Sequence, residues 1–168
     1  MLYLIFDTET TGLPKNYKAP VSDSENWPRA VQISWQLHNH EGVLIDHQDF
    51  LIKPEGFDIP FLSEKIHGIS TALAKKEGRE LSQVLNAFEE TVLKSNFVVG
   101  QNIDFDLNIM GAEFYRMGIR TTLLEKKILD TCTERTANLC QLTGGRGGKF
   151  KLPTLSELHQ RLFETAFE

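Results

Sequence analysis

The sequence predicts an α/β fold: a mixed β-sheet, antiparallel through its first three strands and parallel beyond them, flanked by helices. Three observations carry this. First, an apolar run from Met1 to Ile5 is followed by Val31, Ile33, Trp35 and Leu37 alternating with polar residues. The turn Asn39-His40-Glu41-Gly42 then sends the chain back through Val43 to Ile52, which completes a meander. Second, Leu81, Val84, Leu85, Phe88 and Val92 recur at helical spacing over about 80 to 95, just before the short apolar run Phe97-Val98-Val99-Gly100. A strand, a crossover helix and a strand in that order pair in parallel. Third, 168 residues at 40% hydrophobic content suffice for one domain with a core, so residues 1–168 are expected to form a single unit.

The first strand leads into Phe6-Asp7-Thr8-Glu9-Thr10-Thr11-Gly12. Side chains alternate along a strand, so Asp7 and Glu9 project side by side. Two carboxylates so close repel unless one is protonated or a cation lies between them. A hard divalent ion such as Mg²⁺ or Mn²⁺ suits oxygen ligands of this kind, and Thr10, Thr11 and Gly12 offer hydroxyls and a flexible turn beside it. A bare Asp-x-Glu also fits a capped strand end with two solvated acids.

Leu13 to Pro28 is polar and holds Pro14, Pro20 and Pro28, which predicts a long surface loop. It either borders a ligand at the acidic stretch or is a neutral insertion. His38, His40 and His47 cluster at the hairpin but lack metal-ligand spacing and read as surface residues. Ile66-His67-Gly68-Ile69-Ser70 marks a helix ended by glycine, with Ser70 placed to cap the next helix. After the fourth strand, Gln101 to Asp106 opens a helix whose Leu107, Met110, Phe114 and Met117 share a face. Asp104 and Asp106 stand about 200° apart around that helix, so only one of them can face an ion. Asp104 reads as the N-cap.

Ile128-Leu129-Asp130-Thr131 predicts a last short strand and a helix start, with Asp130 in a capping role. Gly144 to Gly148 is a flexible loop, and Arg146, Lys149 and Lys151 make it a local basic cluster. It lacks the Gly-Lys-Ser/Thr ending of a phosphate-binding loop; it either touches a backbone phosphate or is a solvated linker. Thr154-Leu155-Ser156-Glu157 is a capping box for a final helix, whose Leu155, Leu158 and Leu162 stripe is expected to dock on the sheet.

Composition narrows the function classes. A net charge of −5 excludes a protein that coats DNA by bulk attraction, although ions held at one site would supply local positive charge. Cys132 and Cys140 lack metal or redox spacing and read as free thiols. With no signal peptide and no apolar segment of bilayer length, a cytoplasmic protein with no membrane association is expected.

The string Asp7-Thr8-Glu9-Thr10-Thr11-Gly12 resembles the first motif of the DEDDh (DnaQ-like) 3′→5′ exonucleases, a family that includes the proofreading epsilon subunit of bacterial DNA polymerase III. Asn102, Phe105 and Asp106 match the second motif, Asn-x-x-Phe-Asp, and the match selects Asp106 over Asp104. The resemblance implies a ribonuclease-H-like fold and hydrolysis of 3′-terminal phosphodiesters with two Mg²⁺ or Mn²⁺ ions held by Asp7, Glu9 and Asp106. It also implies that His67, in a His-Gly-Ile segment, joins Leu13 and Phe105 around the terminal base, with Thr10, Thr11, Gly12 and Asn102 nearby. The partners so implied are the 3′ end of single-stranded DNA and DNA polymerase III subunits, in replication proofreading. RNA 3′-end trimming and an inactive end-binding module are the alternatives.

The family's third motif, a histidine base with aspartate five residues on, is not matched. None of His38, His40, His47, His67 and His159 has Asp at that offset, and no Asp follows Asp130. His159 has Glu164 there, but its surroundings match the helix that precedes the motif. The expectation is a chain cut just before the third motif, with little activity of its own.

Overall fold

The strand that carries the acidic stretch, β1 (Leu2–Thr10), finds partners on both edges and so lies at the centre of the sheet. The computed structural model describes residues 1–166. On one side β1 pairs antiparallel with β2 (Ala30–Asn39), which pairs antiparallel with β3 (Leu44–Leu51). On the other it pairs in parallel with β4 (Phe97–Gly100), and β4 in parallel with β5 (Lys127–Asp130). The order β3-β2-β1-β4-β5 is the mixed sheet that the alternation and the crossover predict.

Six α-helices accompany the sheet among the described residues: α1 (Phe61–His67), α2 (Thr71–Glu77), α3 (Leu81–Lys94), α4 (Asp104–Met117), α5 (Glu134–Cys140) and α6 (Leu155–Phe163). The core lies between one sheet face and α3 with α4. Leu4 and Phe6 of β1 meet Ile33 and Trp35 of β2, Leu85 and Phe88 of α3, and Met110 and Phe114 of α4. The Phe88 ring lies 5.0 Å from Phe6 and 5.2 Å from Trp35, both tilted, a favoured aromatic geometry. The opposite face of β1 carries Ile5, which is 41% exposed, then Asp7 and Glu9. Alternation thus gives one strand a greasy side and an acidic side.

Helix ends follow the sequence signals closely. Gly68 ends α1 in the left-handed conformation at φ 78°, and the Ser70 hydroxyl accepts the Leu73 N–H to cap α2. Asp104 departs from its expected place: Ile103 is the N-cap of α4, in helical conformation, and Asp104 is the first residue inside. Its charge still lies at the positive end of the helix dipole, so the first-turn preference is met without a capping bond.

The segment from Leu13 to Pro28 is not a plain surface loop. Trp27 is buried and its Nε1 donates to the Pro20 carbonyl, while Val21 packs against the core beside Gly111. The anchors are scattered through polar sequence and act on residues far along the chain, which is why composition alone conceals them.

The capping box of α6 is present: Thr154 Oγ1 accepts the Glu157 N–H and the Glu157 carboxylate accepts the Thr154 N–H. The leucine stripe docks differently from expectation. Only Leu158 is buried, Leu155 and Leu162 stay exposed, and α6 packs on α5. Thr154→Ala should cost about 1 kcal/mol of stability, with a lower urea midpoint at unchanged slope. An unchanged midpoint would show that the box contributes nothing.

Candidate active site

Asp7 and Glu9 reach the site because they share the acidic face of β1. Asp106 arrives from the first turn of α4, where it is 4% exposed. It is held by Thr8, the residue between the two acids, across 98 positions of sequence. The Thr8 N–H donates to Asp106 Oδ1 at 3.0 Å and the Thr8 hydroxyl to the same oxygen at 2.6 Å. Both bonds fall on Oδ1, so Oδ2 is left for another partner.

The electrostatics tie the three carboxyls together. Burial pushes Asp106 up to about 7, and the charge of Asp7 pushes the same way against the Thr8 bonds. Partial desolvation raises Asp7, opposed by a backbone hydrogen bond from Thr8. Glu9 is raised by desolvation first and by Asp7 second, with His67 opposing. Asp7 is therefore the hub whose charge is felt at both other acids.

The donor set fits a hard divalent cation: three carboxyls raised above their ordinary range chiefly by burial, with the charge of Asp7 adding to the rise at Glu9 and Asp106. The cage is not closed in advance. Among the described residues, no three His, Cys, Asp or Glu side chains converge into a ligand group.

The other sequence-predicted residues fall around this edge of the sheet. The Thr10 hydroxyl donates to the Gly12 carbonyl at 2.8 Å, and Thr11 Oγ1 accepts the Arg29 N–H at 3.0 Å, so both hydroxyls are spent on shaping the turn. Leu13 beyond it is 74% exposed. Asn102 is left-handed at φ 56° and donates its N–H to Asp130 Oδ1, which also accepts the Cys132 N–H. Asp130 is therefore not the expected cap, a place that Thr133 takes at α5; its carboxylate instead ties the entry to α4 to the exit of β5. Phe105 packs partly on the core. His67 Nδ1 accepts the Ile69 N–H at 3.1 Å, which forces the ring proton onto Nε2. That Nε2 is buried without a hydrogen-bond partner among the described residues. His67 is thus fixed as a donor and is unsuited to be a base. His159 lies on α6 with its ring 4.8 Å from Phe163 and Nδ1 3.3 Å from the Thr165 carbonyl.

Sequence reasoning missed Glu113. It is 0% exposed and accepts Arg29 Nε at 2.9 Å and the Ala30 N–H at 2.9 Å. Arg116 Nη1 lies 3.1 Å from the same oxygen. The Arg116 guanidinium also donates to the Ser24 and Trp27 carbonyls, which pins the loop to α4. Arg29 in turn exchanges two bonds with Thr11, so the trio supports the turn beside Asp7 and Glu9. The available signal was an acid on the helix face of Met110 and Phe114, where a lone charge needs partners.

Comparison with known proteins identifies the family and the fold. The model of a family described as Exonuclease (RNase_T) matches residues 4–161. The chain is 30% identical over 129 residues to a PolC-type DNA polymerase III of Streptococcus thermophilus, covering 77% of this chain and 8% of that protein. It is 27% identical over 131 residues to the PolC-type enzyme of Pediococcus pentosaceus, again 8% of its length. The fold is that of E. coli Exonuclease I, solved in complex with a 5cy-dT13 oligonucleotide: TM-score 0.73 at 17% identity, over 95% of this chain and 35% of that one. No described helix is long and apolar enough to cross a membrane.

Proposed function

The chain belongs to the RNase_T exonuclease family, of DEDDh type, and on that premise we propose that it binds the 3′ end of single-stranded DNA and hydrolyses the terminal phosphodiester. The observation that carries this reading is that Asp7 and Glu9 share one face of β1 while Thr8 between them holds Asp106, with the charge of Asp7 acting on both other acids. These three residues would hold Mg²⁺ or Mn²⁺, which when bound would polarise the phosphate and the attacking water. The chain's own groups do the placing. Thr8 fixes Asp106, the Thr10 to Leu13 turn borders the terminal nucleotide, and Leu13 and Phe105 offer apolar surface to its base. His67 would border that nucleotide through its ring, its Nε2 being buried. Likeness to two PolC-type polymerases favours DNA over RNA and a proofreading role beside a replicative polymerase.

A general base is commonly worth about 10²–10⁴-fold. No histidine here has the family's aspartate five residues on, so hydrolysis by this chain should be slow. The test uses 5′-labelled single-stranded DNA with Mn²⁺ or with EDTA. Slow stepwise shortening from the 3′ end in Mn²⁺ only, absent in Asp7→Ala and slower on RNA of the same sequence, is the expected result. Shortening that persists in EDTA, or that Asp7→Ala leaves intact, would refute the reading.

A further inference from the structure

A cleft of about 670 Å³ lies apart from the three acids, between α5 and the chain returning through Gly144 to Leu152. Its position follows from topology. α5 leaves the C-terminal end of β5, and β5, β4 and β1 are mutually parallel, so the cleft belongs to the same end of the sheet as Asp7 and Asn102. It is displaced from β1 by two strand spacings, roughly 10 Å, and by the body of α5. A strand with its 3′ end at Asp7 can cover that offset within a few nucleotides.

The lining has the chemistry of a nucleotide. Lys149 is paired with Glu134, and Lys151 is held by both oxygens of Glu157 at 2.6 and 2.9 Å. Arg146 forms no ion pair among the described residues, which leaves its planar fork available for phosphate. Phe150, 41% exposed, and Leu152 supply an apolar wall on which a base can stack. The lip is tightly built: any Cβ on Gly145 would collide with the carbonyl oxygens of Lys149 and Phe150, so the loop can close on itself only with glycine there. With both lysines paired to carboxylates, Arg146 is the cation of this cleft left for a phosphate, and it stands beside an exposed aromatic.

We propose that this cleft is a second contact for single-stranded nucleic acid, taking a nucleotide upstream of the 3′ end with its phosphate on Arg146 and its base against Phe150. The proposal rests on the exonuclease reading. The test is fluorescence anisotropy of the full chain with 5′-labelled dT3 and dT12, Ca²⁺ replacing Mg²⁺. Arg146→Ala and Phe150→Ala should each weaken dT12 about fivefold or more and leave dT3 within about twofold, since stacking of one base alone is worth that much. Arg146→Ala should also reduce the slope of log K against log salt by about 0.7, the contribution of one phosphate contact on a single strand, and Arg146→Lys should restore it. Unchanged dT12 affinity, or equal losses on both lengths, would overturn the second contact while leaving the acidic site standing. If the unaltered chain binds neither oligonucleotide, the exonuclease reading itself fails and this proposal falls with it.

Discussion

Asp106→Asn should make the metal-free protein more stable at pH 8 while removing its response to Mn²⁺. The sign follows from the direction of the shift. The carboxyl of Asp106 titrates near 7 in the fold and near 3.9 in an unfolded chain, so the folded state holds its proton more tightly. The contribution of this group to stability is therefore whole below about pH 4 and is lost as pH rises through about 7. At pH 8 the fold carries a buried anion that costs up to about 4 kcal/mol. Asparagine keeps an Oδ1 for both Thr8 donors and carries no charge. Urea titration in EDTA should show the variant about 2–4 kcal/mol more stable at pH 8 and within about 1 kcal/mol at pH 4. Adding Mn²⁺ should stabilise the unaltered protein by mass action and leave the variant unmoved. A variant less stable than its parent at pH 8 in EDTA would show that the buried anion is compensated by something other than a cation.

Glu113→Ala should be the most damaging single change at a charged position. It leaves the Arg29 and Arg116 guanidiniums without their counter-ion and the Ala30 N–H without its acceptor. Breaking one side of a buried ion pair commonly costs about 3–5 kcal/mol, which for a chain of this size lowers the melting temperature by roughly 10 °C. Glu113→Gln retains an oxygen for the Ala30 N–H and should fall between. Glu80→Ala, which breaks the half-exposed Lys53–Glu80 pair, is the internal control and should leave the melting temperature nearly unchanged, because solvent screens such a pair. Equal melting temperatures for the two alanine variants would mean that the trio does not hold the loop.

What was legible in the sequence was local. The alternation through Val31 to Leu37, the helical spacing of Leu81 to Val92, the Gly68 stop and the Thr154 box each announce themselves within a dozen residues, and the structure has them in place. The pairing of Asp7 with Glu9 was legible for the same reason, because a period of two is enough to put them on one face. The choice of Asp106 needed the resemblance to a known family, since its tie to Thr8 spans 98 positions and leaves no local trace. The anchoring of Trp27 and Val21 was hidden in the same way, with Arg116 and Glu113 supplying the far ends. The docking of α6 was misjudged because a leucine stripe gives the width of an apolar face and not the identity of its partner.

The central position of β1 has a consequence for how the chain is made. Strands β1 to β3 can assemble as soon as residue 51 has left the ribosome, but the other edge of β1 has no partner until Phe97 to Gly100 emerge. At synthesis rates of about 5–20 residues per second, that edge stays open for several seconds. Over that interval Leu4 and Phe6 lack the helices that will cover them, and an unpaired strand edge is a template for another chain. The nascent meander is therefore the species most prone to misassembly, and a chaperone that shields the first half of the chain should raise the yield of folded protein more than one acting after release.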